Sequence, residues 1–231
     1  MMSDKVPDTE RAPLASVSIV AIGSFNPAIF QPLWFSTNGL IRPEEAASAT
    51  INLITNDVTA FRTEWFAVQV LSESSIFETK DPTKARPLRD LVVGTFTILE
   101  HTPVKAFGFN SQKHFRMGSE EEWHAFGDHF APRESWKAVV SQPGMRVLGI
   151  LGRRDGCKAS AMNIIVQPSA PPHPGVLIHV NQHYDLLEAK KASQADLNAY
   201  LLEILRDEWD GFLEYCDRTE QHLLSAYKPK E

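Results

Sequence analysis

The sequence predicts an α+β protein whose antiparallel sheet is built from one βαβββα plan used twice in tandem, with helices on one face and a long C-terminal helix. Three observations carry that prediction. The apolar period switches repeatedly between 2 and 3.6 along the chain. The turn pairs Asn56-Asp57 and Asp155-Gly156 each sit between alternating runs, at corresponding places. The elements before and after Thr102-Pro103 follow one order: strand, helix, strand, turn, long strand, strand, long helix.

The seam between the halves is the stretch Leu88 to Met117. Leu88, Leu91, Val92, Phe96 and Leu99 fall on one helical face, which Val93 and Ile98 widen. Gly94 costs a helix interior roughly 1 kcal/mol relative to alanine, so a second backbone is expected to pass close there. Pro103 lacks an N–H and biases Thr102 towards extended geometry, which ends the helix. From Val104 the period is 2: Phe107, Phe109, Phe115 and Met117 share one parity, and Asn110, Gln112, His114 and Arg116 the other.

The remaining elements follow in order. Residues 1–15 read as a flexible, polar tail. The first half, residues 16–101, opens with a strand at Ser16 to Phe25 and a short helix at Pro32 to Thr37, with a weaker helical turn at Glu44 to Ala49. The strand TINLIT, the long strand VTAFRTEWFAVQVL and the strand IFETK lead into the seam helix. The second half, residues 102–231, has its strand at Val104 to Met117. A helix follows that opens on the capping box Ser119 to Glu122, where the serine can accept the third helical N–H and Glu122 can reach back. The runs MRVLGILGRR and CKASAMNIIVQ flank Asp155-Gly156, the loop PSAPPHPG is an exposed connection, and GVLIHVNQHYDL is a strand. The last helix, about Gln194 to Ala226, would extend roughly 45–50 Å, with Gly211 as a bend point. Such a tandem plan often gives one curved sheet, as in the saddle-shaped folds related to the TATA-binding protein, a comparison of folds that says nothing of function.

Composition bounds the function classes. A net charge of −6 over 231 residues argues against a generic nucleic-acid or membrane-surface binder, because phosphate recognition needs clustered Lys and Arg. The longest apolar run, LVVGTFTIL, is too short to span a bilayer, and the N-terminus lacks the apolar core of a signal peptide. Cys157 and Cys216 form no CxxC pair and point to a reducing, cytoplasmic setting.

Three places hold chemistry-bearing residues. On the polar parity of two strands, Gln112, His114 and Arg116 join His179, Asn181 and His183; they could bind an anionic or hydrogen-bonding ligand, or form an ordinary solvated sheet face. His124 and Asp128 stand four apart on one helix, which suits a surface ion pair as well as a site, and a metal would need a further ligand. Arg153 and Arg154 at the hairpin tip are candidates for contacting an anion, next to Cys157. No P-loop, GxGxxG, GxSxG, HExxH or EF-hand pattern is present, so the sequence assigns no reaction, no cofactor and no metal.

With LRDLVVGTFTILEHTP, HFRM, WHAFGDHFAPRESW and IHVNQHY in view, the chain resembles a sporadically distributed family of bacterial proteins over most of residues 16–186. No activity, ligand or catalytic residue is attached to that family, so the resemblance carries none over. Its patchy distribution implies a mobile-element, toxin–antitoxin or phage-defence setting. The expectation is a non-catalytic module that binds another protein, a homodimer mate among the candidates, through its sheet face or long helix. The alternatives are a small-molecule sensor or enzyme using His114, Arg116, His179 and His183, and nucleic-acid binding by the curved sheet.

Overall fold

In the computed structural model, which describes residues 14–189 and 193–227, one antiparallel sheet of nine strands runs through both halves. The strands are β1 (Leu14–Gly23), β2 (Thr50–Ile54), β3 (Val58–Arg62), β4 (Ala67–Leu71), β5 (Ser74–Thr79), β6 (Val104–Arg116), β7 (Leu148–Gly152), β8 (Ala161–Pro168) and β9 (Gly175–Asp185). Their order is β2-β3-β4-β5-β1-β6-β9-β8-β7. The helices are α1 (Pro32–Thr37), α2 (Pro43–Ala47), α3 (Ala85–Ile98), α4 (Glu120–Phe130) and α5 (Gln194–Ala226). Of the tail expected over residues 1–15, all but Leu14 and Ala15 lies outside the described residues, and those two begin β1.

Side-chain parity decides which face is covered. Val17, Ile19 and Ala21 of β1, Phe77 of β5, Phe107 and Phe109 of β6, and Ile178, Val180 and Tyr184 of β9 are all buried beneath the helices. Two aromatic clusters anchor the layers. In the first half Phe35 of α1 meets Phe30, Trp34, Phe61, Phe66 and Phe77 with ring centroids 5.1 to 6.5 Å apart. In the second, Phe109 meets Phe107, Tyr184, Trp209 and Phe212 at 5.0 to 5.6 Å. Helices α3 and α5 lie against each other, and two polar groups of α5 satisfy backbone carbonyls of α3. Asn198 Nδ2 donates to the Phe96 carbonyl at 3.2 Å, and Trp209 Nε1 to the Ala85 carbonyl at 3.0 Å.

Four expectations need correction. The long strand of the first half is two strands, β3 and β4, because Thr63 to Phe66 form a tight turn: the Thr63 N–H donates to the Phe66 carbonyl at 2.8 Å. The first half therefore has five strands to the second's four, and the two do not match element for element. At Gly94 the close neighbour is not a backbone; an added Cβ would lie 2.5 Å from Leu40 Cδ2. Helix α5 runs through Gly211 unbroken, and the missing side chain there makes room for the Arg154 guanidinium, which would stand 2.9 Å from a Cβ. Ser119 does accept the Glu122 N–H at 3.2 Å, but Glu122 reaches back one residue further than a capping box requires, to the Gly118 N–H at 2.8 Å.

Candidate functional site

Strands β6 and β9 pair over eleven positions, from Ala106 opposite Asp185 to Arg116 opposite Gly175. That register sets Gln112 opposite His179, His114 opposite Leu177, Asn110 opposite Asn181 and Gly108 opposite His183. The six polar residues singled out in the sequence therefore share one face, which no helix among the described residues covers. They do not converge. From Arg116 to the level of His183 they form a strip ~25 Å long at the usual rise of a strand.

Local hydrogen bonds fix the middle of this strip. Asn110 Oδ1 accepts from Asn181 Nδ2 at 2.9 Å and lies 3.3 Å from His179 Nε2. Burial lowers the His179 pKa, so the ring is neutral near pH 7, and the amide oxygen selects the tautomer with hydrogen on Nε2. His114 Nδ1 lies 2.6 Å from Ser169 Oγ, whose hydroxyl donates to the Pro171 carbonyl at 2.9 Å. The serine hydrogen is thus spent on the backbone and His114 donates to Ser169, the reverse of what a base activating a serine nucleophile would do. Gln112 and Arg116 are exposed, and His183 is half-buried.

The basic tip divides. Arg153 is exposed in the β7–β8 connection. Arg154 turns down onto α5, where Nη1 donates to Gln182 Oε1 at 3.0 Å and the guanidinium lies 5.3 Å from the Tyr215 ring centre. The Cys157 thiol donates to the Arg154 carbonyl at 3.1 Å. His124 and Asp128 do not pair, since Asp128 binds Arg133 at 2.5 Å and His124 packs on Trp123.

Two buried polar groups lie between sheet and helices. Lys113, on the core parity of β6, binds Asp217 Oδ1 at 2.7 Å and Glu220 Oε2 at 2.8 Å. Burial pushes the Glu220 carboxyl up to about 7 against the pull of Lys113. Burial also pulls the Lys113 ammonium down, but Glu220 and Asp217 outweigh it and the net shift is upward. Glu220 Oε1 and the neighbouring Ser111 Oγ find no hydrogen-bond partner among the described residues. The second group is Tyr184, whose hydroxyl donates to Glu208 Oε2 at 2.8 Å; burial pushes that phenol far up. Sequence reasoning missed both. Part of the signal was legible: Lys113 shares the parity of Phe109 and Phe115, Gln182 stands between Val180 and Tyr184, and Glu220 falls between Cys216 and Leu223 on the helix stripe.

Two hollows lie on the helix side, and none of the six strip residues lines either. One, about 930 Å³, opens between α4 and residues 131–147 beside Trp123, Arg133, Met145 and Val176. Its charges are paired internally, Asp128 with Arg133 and Glu134 with Lys137. The other is an apolar groove of about 620 Å³ between α5 and the β7–β8 hairpin. Among the described residues no group of three or more His, Cys, Asp or Glu is placed to hold a metal, and no helix is long and apolar enough to cross a membrane. The chain matches no protein-family model and no curated protein.

Proposed function

We propose that this chain is a non-catalytic protein-interaction module of a bacterial cytoplasmic system, and that its partner docks on the uncovered face of the sheet. One observation carries the reading. That face presents Leu14, Ile22, Leu53, Leu71 and Leu151, each between 37% and 76% exposed, among amide, hydroxyl and imidazole groups. Apolar side chains set in uncharged polar ones suit a protein interface. The charges on the strands of that face, Arg62 and Arg116 against Glu78 and Asp185, make no basic track for a phosphate backbone, which favours a protein over a nucleic acid. Both cysteines are free thiols, in keeping with a reducing compartment. The patchy distribution of the bacterial family it resembles fits an accessory of a mobile or defence system.

We also read the two halves as one plan used twice. In support, β1 and β6 lie side by side at the centre, and from them the later strands return outward in descending order, β5-β4-β3-β2 and β9-β8-β7. Each half closes on a long helix, α3 or α5. Superposing residues 14–98 on 104–226, with β1 on β6 and α3 on α5, tests this reading, and a fit that fails to pair those elements ends it.

The docking surface is tested by introducing charge at its apolar positions. The double variant Ile22→Asp, Leu71→Asp alters two exposed side chains of the open face and leaves the core intact. Tagged protein purified from its own host should retain a specific partner as wild type, lose it in this variant, and keep it in Glu214→Lys on the exposed side of α5. Equal retention by all three would contradict the proposal.

A further inference from the structure

The sheet has two edges, and the chain treats them differently. Edge β2 is interrupted by a bulge, its register with β3 shifting between Ile51 and Leu53, and a bulge blunts a strand as a template for pairing. Edge β7 pairs with β8 over all five residues, Leu148 to Gly152, with no shift. It carries no charge and no proline, and Ile150 and Leu151 are 53% and 76% exposed. Among the described residues, no strand faces the backbone N–H and C=O groups on the side away from β8. A clean apolar edge of this kind is what natural sheets otherwise avoid.

We propose that β7 is where a second copy of this chain docks, strand to antiparallel strand, about a twofold axis through Ile150. The sequence Leu-Gly-Ile-Leu-Gly identifies the occupant. Pairing each residue with its mate across that axis sets Leu148 opposite Gly152, Gly149 opposite Leu151, and Ile150 opposite itself. Every leucine then faces a glycine on the same side of the sheet, filling the gap left by the missing side chain, and the isoleucines meet at the centre. A strand of unrelated sequence would have no need of this self-complementarity, whereas a twofold interface requires it.

The flanks are compatible. In this register Arg153 falls opposite Val147, which is itself 54% exposed. Arg146 falls opposite Arg154, whose guanidinium is held away on Gln182 and Tyr215. Leu148 and Ile150 also form the outer wall of the apolar groove of about 620 Å³ that continues over Ile164 and Phe130 to Leu223. Across the axis the two grooves become one apolar trough, adding to a strand pair that is by itself smaller than a specific interface requires. This edge shares only Leu151 with the open face, and neither Ile22 nor Leu71 belongs to it, so the dimer can form whether or not that face docks a partner.

The test uses the full chain. Light scattering across a wide concentration range should show the mass rising from 25.9 kDa towards twice that value. Ile150→Arg, which sets two guanidinium groups against each other on the axis, should remain monomeric with an unchanged melting temperature. Directly opposed strand residues have neighbouring Cβ atoms, so Ile150→Cys should form a disulfide-linked dimer under mild oxidation while Ile51→Cys on the β2 edge does not. A chain that stays monomeric throughout, a dimer that survives Ile150→Arg, or equal cross-linking through Ile51→Cys would each overturn the proposal. If Ile150→Arg fails to fold, the cysteine pair decides alone.

Discussion

At the scale of single residues, burial outweighs charge at Glu220, whereas at Lys113 the two carboxylates outweigh burial. Glu220 is raised to about 7 in the fold from an ordinary value of 4.5. The native state therefore holds a proton between those values that the unfolded chain has released. A raised native pKa gives stability that is fully present below pH 4.5 and is lost as pH rises through 7. Glu220→Gln removes this dependence. Urea midpoints at pH 5 and pH 8 should show the wild type losing about 2–3 kcal/mol relative to Glu220→Gln between them. A pH-independent difference would mean that the ion pair with Lys113 holds the carboxylate charged throughout. The same scale shows what the sequence could tell of the candidate strip. Alternation alone placed Gln112, His114, Arg116, His179, Asn181 and His183 on polar parities. Only the β6–β9 register could say that both parities face the same way, and only the Ser169 and Asn110 contacts could orient the rings.

At the scale of elements, helices and caps were the legible part. The span of α5 and its stripe through Leu201, Leu205, Trp209, Phe212 and Cys216 follow from a 3.6-residue period sustained over many turns. The break between β3 and β4 was hidden because Thr63-Glu64-Trp65-Phe66 contains none of the residues that usually mark a turn, and Thr63 Oγ1 stands in by accepting the Phe66 N–H at 3.2 Å. The loop that carries Arg154 was hidden for a different reason. It folds onto α5, and that contact depends on a glycine far away in sequence, Gly211. The packing of α3 on α5 turns on Trp209, fully buried with its indole N–H on the Ala85 carbonyl. Trp209→Phe keeps most of the ring contacts and removes only the indole hydrogen bond to a carbonyl that α3 itself also pairs, at a cost of about 0.5–1.5 kcal/mol. Trp209→Ala also leaves a cavity and should cost about 3–5 kcal/mol. Equal losses for the two variants, measured by denaturant unfolding, would show that the hydrogen bond rather than the ring holds the helices together.

At the scale of the molecule, the described helices lie on one side of a nine-stranded sheet, and among the described residues the other side is left uncovered. The imidazoles on that side stand in a strip along β6 and β9, and the hollows of about 930 and 620 Å³ lie on the helix side. Such an arrangement suits contact over a broad area better than enclosure of a small substrate. The most direct test is site-specific photo-cross-linking in the native host, with the reactive side chain placed at Gln112 on the open face and, separately, at Glu214 on the outer side of α5. The account predicts one discrete cross-linked protein from position 112 and none from position 214. Cross-links from 214 alone, or none from 112, would contradict it.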